Sequence, residues 1–168
     1  MNNKLYERLM VESLVYKFKS WINAEYQSWY IYEAISGKAL ERGYTEASAF
    51  FAKKASEELE HARDVRQHLI DREILIEYRD IIIPEFYIVD YRDMFTLAYN
   101  HEIKVSDIVQ DIFNIAKNVD QDFEAETFLI DYVKEQTEEV AEIKALLDKL
   151  DQSSDILAFE EFLKEQDH

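Results

Sequence analysis

The 168-residue sequence predicts an all-α fold: a four-helix bundle with a long crossover between the second and third helices and a short fifth helix. Three observations carry that reading. Gly occurs twice and Pro once, whereas the strong helix formers Glu, Leu, Ala and Lys are abundant. Apolar residues recur at alternating spacings of three and four along four long stretches, the period of a helix face turned to a core. Between the second and third stretches lies EILIEYRDIIIPEFYIVD (73–90), whose β-branched run around Pro84 breaks that period. The length suits one domain over residues 1–168, with the bundle at about 13–150 and the last helix at about 154–165.

The first helix is expected from Ser13, as N-cap, to Arg42, with Gly43 just past its end. Residues 1–12 either extend it or fray. The second opens at TEAS (45–48) and runs to about Arg72. The third covers about Asp90 to Lys117 and the fourth about Asp120 to Leu150. The segment SSDILAFEEFLKE, beginning near Ser153 or Ser154, forms the fifth. Only a few residues separate the members of each pair, so the first and second helices should be antiparallel, as should the third and fourth. A helix of 28 residues spans roughly 42 Å, and 17 extended residues cover about 56 Å. The crossover can therefore traverse the bundle and leave the second and third helices parallel. It is too apolar for water and is expected to pack against another subunit.

Composition narrows the function. There are 36 Asp and Glu against 19 Lys and Arg, a formal charge of −17. That balance argues against a nucleic-acid partner, which needs clustered basic residues, and favours cations. No run of 18 or more apolar residues provides a membrane span. The opening MNNKLYERLMVES is too polar for a secretory signal, and the absence of Cys excludes thiolate metal sites and fits a cytoplasmic location.

Each apolar stripe is broken by acid near its middle. The first reads Leu14, Phe18, Trp21, Glu25, Trp29, Tyr32, Ala39, with Ser36 between. The second reads Phe51, Ala55, Glu58, Ala62, Val65, Leu69, and the third Phe95, Ala98, Glu102, Val105, Val109, Ile112, Ala116. The fourth is Ala125, Leu129, Tyr132, Gln136, Glu139, Ile143, Leu146, Leu150. Counted from the turn within each hairpin, these acids stand level to within about one helical turn. On the second helix, EELEHA (57–62) adds His61 three residues after Glu58, on the same face. Alone, Glu-x-x-His is a weak signal; four concordant stripes make it a strong one.

Four carboxylates in an apolar core must be protonated, ion-paired or bound to cations, because bare burial costs several kcal/mol each. The stripes offer no Lys or Arg near the layer, so internal pairing is not expected. Two divalent ions would cancel the charge of Glu25, Glu58, Glu102 and Glu139, with His61 as nitrogen ligand. Oxygen-rich ligation with one imidazole suits iron in both its common oxidation states.

With those residues in view, the chain resembles the non-haem ferritins of bacterial type from Ser13 onward. The resemblance rests on NAEYQSWYIY (23–32), ASEELEHA (55–62), YNHEIKVSD (99–107), YVKEQTEEV (132–140) and LAFEEFLKE (157–165). It implies a first iron held by Glu25, Glu58 and His61. Glu58 would bridge to a second, held with Glu102 and Glu139, and Gln136 would lie close by as an O₂-side or weak ligand. Tyr32 matches the family's tyrosine beside the iron pair, although its spacing equally suits an ordinary core aromatic. A third iron would lie against Glu57, Glu135, Glu138 and the shared Glu139. Glu60 and Glu142 read as solubilising charge, and His68, His101 and His168 carry no metal-site signature.

Three features depart from related families or from this one. The fourth helix lacks a second Glu-x-x-His and the second lacks Met, which turns the chain away from bacterioferritins, rubrerythrins and haem. Asp131 stands where bacterial ferritins often carry Trp, and at the start of the fourth helix only Glu126 falls at a channel position. The resemblance therefore implies an iron-storage protein with ferroxidase activity. It would oxidise Fe(II) with O₂ or H₂O₂ and store Fe(III) in a hollow shell of 24 copies. The alternatives are a diiron peroxidase or oxygenase without storage, and a metal-free acidic helical scaffold.

Overall fold

The computed structural model describes residues 10–78 and 80–166; the chain start, where an extension of the first helix was left open, and His168 lie outside them. Five helices follow in order: α1 (Glu12–Glu41), α2 (Thr45–Asp71), α3 (Tyr91–Asn114), α4 (Phe123–Gln152) and α5 (Ile156–Gln166). A π-helical turn, Ile115–Val119, extends α3.

The helix boundaries follow from local chemistry, with two departures from expectation. Ser13 is not the cap of α1: the helix starts one residue earlier, after extended Val11, with no side-chain cap and with Glu12 in the first turn. A carboxylate there is favoured by the helix dipole without capping. Gly43 ends α1 at φ 80°, a left-handed conformation that costs glycine little. The Tyr44 N–H then donates back to the Ala39 carbonyl at 2.9 Å. The start of α2 is capped from far away rather than by TEAS. The buried Glu160 carboxylate of α5 accepts from the Glu46 and Ala47 backbone N–H groups at 3.0 and 3.1 Å, and from the Tyr91 hydroxyl at 2.6 Å. Asp90 caps α3 in a capping box, its carboxylate accepting from the Asp93 N–H and Asp93 accepting from the Asp90 N–H. The fourth helix begins three residues later than expected because Gln121 turns left-handed and Asp122 is its cap.

Contacts along the helices settle the topology. Ser36 donates to the Ser48 carbonyl and Phe18 packs on His68, so α1 and α2 are antiparallel. Arg92 bonds Asp151 and Lys117 reaches Glu126, so α3 and α4 are antiparallel too. Lys17 pairs with Asp111, and Ser28 with His101, which sets α3 antiparallel to α1 and hence parallel to α2. The crossover runs along α1. Gln27 donates to the Ile82 carbonyl at 2.7 Å and Arg42 to the Ile88 carbonyl at 2.9 Å. Leu75 remains 86% exposed, and Tyr78, Ile82, Tyr87 and Val89 are exposed likewise.

The core falls into two clusters. One holds Tyr32, Phe51, Phe95 and Phe159; the other holds Phe18, Trp21, Leu69 and Ile112. Nearly every stripe position is buried, but Trp29 and Leu150 are only partly so, because Ser28 and Leu147 turn inward beside them. Of the apolar residues of α5, Phe159 and Leu163 are buried while Leu157 is exposed. Between the two clusters lies the acidic layer.

Candidate metal centre

All four helices of the bundle deliver a carboxylate to this layer, and none of the four is more than 7% exposed: Glu25, Glu58, Glu102 and Glu139. Two triads form. Glu25, Glu58 and His61 bring one ligand atom each within 4.8 Å of one another, and so do Glu58, Glu102 and Glu139. Glu58 belongs to both. The His61 Nδ1 stands 3.2 Å from Glu58, and its Nε2 stands 3.3 Å from Glu135.

Neighbouring side chains aim the carboxylates. The Trp21 indole N–H donates to Glu25, the Tyr32 hydroxyl donates to Glu102, and the Gln136 amide donates to Glu139 at 2.5 Å. The other oxygens of Glu25, Glu58 and Glu102, and the Gln136 carbonyl oxygen, are buried without a hydrogen-bond partner. An unsatisfied buried acceptor is costly, so four of them facing one layer describe a donor set suited to cations.

The electrostatics agree. Burial, then the charge of Glu58, pushes the Glu102 carboxyl up to about 8 and the Glu139 carboxyl up to about 9. The same two causes hold Glu25 well above the ordinary carboxylate range. Burial would lower His61, but its hydrogen bond to Glu58 and the charges of Glu58, Glu139 and Glu135 raise it to about 9. Without cations, therefore, the layer holds protons near neutral pH.

The expectation that no basic residue approaches the layer is corrected. Lys54 is 8% exposed, with its ammonium 3.8 Å from Glu139, 3.3 Å from Glu57 and 2.7 Å from Glu142. It lies four residues before Glu58, a spacing that puts both on one helix face and could have signalled the contact. Glu142 thus has a partner rather than serving only as solubilising charge. His101, which carried no metal-site signature, is buried and paired with Ser28 at 2.7 Å; burial pushes it down to about 4. His68 stacks on Phe128 with ring centroids 4.1 Å apart.

The remaining acids are less gathered. Glu135 and Glu138 are exposed and Glu57 is half-buried; among the described residues they form no group as tight as the two triads. Asp131 and Glu60 are exposed, and Glu126 is partly covered with Lys117 at 3.8 Å.

This layer sits in a chain whose residues 18–153 match the ferritin-like domain profile. The chain belongs to the ferritin family. It is similar to the bacterial non-heme ferritin of Campylobacter jejuni, with 27% identity over 144 residues covering 84% of each chain. An open-pore ferritin of the archaeon Archaeoglobus fulgidus superposes with a TM-score of 0.86 at 26% identity, covering 93% of this chain and 96% of that one. The ferritin of M. penetrans gives the same TM-score at 19% identity, covering 94% and 97%, and speaks for the fold alone. The four-helix bundle, the long crossover and the short fifth helix are thus the ferritin fold.

Proposed function

We propose that this chain oxidises Fe(II) at the acidic layer and stores Fe(III) inside a closed homo-oligomeric shell. The observation that carries the reading is the pair of buried triads sharing Glu58, with carboxylate oxygens left unpartnered around it. Two ferrous ions are the substrates. Glu25, Glu58 and His61 receive one; Glu58, Glu102 and Glu139 receive the other. Each Fe(II) gives up one electron, so two supply the pair that converts one O₂ and two protons to H₂O₂. Gln136 and Tyr32 contribute by holding Glu139 and Glu102 in place through their hydrogen bonds. Iron binding displaces the protons that burial keeps on these acids, so uptake releases protons.

Storage is supported by the likeness to non-heme ferritins and by the uncovered apolar crossover, which a neighbouring subunit would cover. The proposed shell has 24 subunits, lies in the cytoplasm, and is built from the chain acting as one folded unit. No helix among the described residues is long and apolar enough to cross a membrane. The test is aerobic Fe(II) addition followed by size-exclusion chromatography with iron and protein detection. Iron should co-elute with a large assembly after fast oxidation. A monomer or dimer without retained iron would remove the storage reading, and oxidation at the background rate would remove the ferroxidase reading.

A further inference from the structure

Beside the acidic layer, a second concentration of charge surrounds the Lys54 ammonium. Three carboxylates hold it: Glu57 from its own helix, and Glu139 and Glu142 from α4. The lysine side chain is 11% exposed and Glu139 is buried beside it, while Glu57 and Glu142 reach solvent at 37% and 47%. Glu139 belongs both to this cage and to the triad with Glu58 and Glu102, which puts the ammonium at the edge of the layer. Glu57 and Glu139 are also two of the four acids that would hold a third iron. An ammonium and a metal ion drawn to the same carboxylates repel each other and compete for the same oxygens. A cation carried on the chain has the advantage of permanent local concentration over one that must bind from solution.

We propose that Lys54 is a tethered cation that ties up Glu57 and Glu139, two of the four acids of the third metal position, and so limits each subunit to two tightly held ions. This rests on the reading of the layer as a metal centre. Lys54 acts through Glu57, Glu139 and Glu142 and is a positioning residue. It holds Glu139 toward α2 before metal arrives and keeps Glu57 and Glu142 from capturing an ion of their own.

Zinc, which binds such ligands without redox chemistry, separates the possibilities when titrated calorimetrically into the metal-free protein with bound ions counted after dialysis. The parent should hold two tight ions per subunit. Lys54→Met and Lys54→Gln should each gain a third, bound at least tenfold tighter than any further ion on the parent. Lys54→Arg, which keeps the charge, should return to two. A third tight ion on the parent would overturn the assignment whether or not any variant folds. Two ions on the parent and two on the folded neutral variants would overturn it as well, leaving the metal centre standing. No tight ion on the parent would remove the metal centre and the role of Lys54 with it.

Discussion

Raising the pH of the metal-free protein from 7 to 8 should destabilise it sharply. Glu102 and Glu139 titrate near 8 and 9 in the fold, against about 4.5 for an unperturbed glutamate, and His61 titrates near 9 against about 6.5. All three bind protons more tightly folded than unfolded. Their contribution is complete below the unfolded values and is lost as pH climbs toward the folded ones. Each group loses about 1 kcal/mol between pH 7 and 8, on the order of 3 kcal/mol together. The groups are nearly fully buried, so solvent screening removes little of this. His101 and His68 act in the opposite sense, their folded values being depressed by burial, but that effect fades above about pH 6.5. At about 2–4 °C per kcal/mol for a chain of this size, the thermal midpoint should fall by roughly 6–12 °C. Scanning calorimetry at one protein concentration and one scan rate measures it. Glu139→Gln should flatten the dependence, and saturating Zn(II) should abolish most of it by holding the acids ionised. A midpoint that is level or rising from pH 7 to 8 would refute the account of a protonated layer, and so would an unchanged slope in Glu139→Gln.

Other perturbations test separate parts of the molecule. His61→Ala should abolish fast Fe(II) oxidation in stopped-flow absorbance, while Glu135→Ala, which removes a carboxylate 3.3 Å from His61 but outside both triads, should retain it. Glu160→Ala should cost roughly 2–4 kcal/mol in denaturant unfolding, since two N–H groups at the start of α2 and the Tyr91 hydroxyl lose their acceptor together. Arg72→Ala should cost roughly 1–3 kcal/mol in the same assay. It leaves Asp122, the half-buried cap of α4, without the guanidinium that now reaches both its oxygens at 2.8 Å.

The acidic layer was legible because helical periodicity converts spacing into direction: Glu25, Glu58, Glu102 and Glu139 interrupt stripes whose other members had to point inward. Their common height followed from counting residues to each turn, which needs no tertiary information. The expected start of α3 at Asp90 agrees with the structure, where the cap that fixes it is local, with Asp93 three residues on. The partners across helices were not legible. Lys54 flanks its stripe, and whether a flanking lysine turns outward or folds over the acids depends on the neighbouring helix, here through Glu142 and Glu139. Glu160 looked like one of many acids on an acidic helix. Nothing in LAFEEFLKE says that it meets amide groups more than a hundred residues earlier.

That last contact has a bearing on how the chain comes together. Glu160 and Glu46 are 114 positions apart, so the amides at the start of α2 are completed by a segment synthesised well after them. The α1–α2 hairpin can form early from neighbouring sequence, yet it keeps a frayed end until the tail arrives. Contacts of such long separation are slow to close, and the apolar crossover is made in the meantime. A chain truncated before residue 160, or one whose C-terminal extension hinders the docking of α5, would therefore linger with its hairpin loose and its crossover uncovered. In this protein the eleven-residue α5 works as a latch on the first half of the bundle.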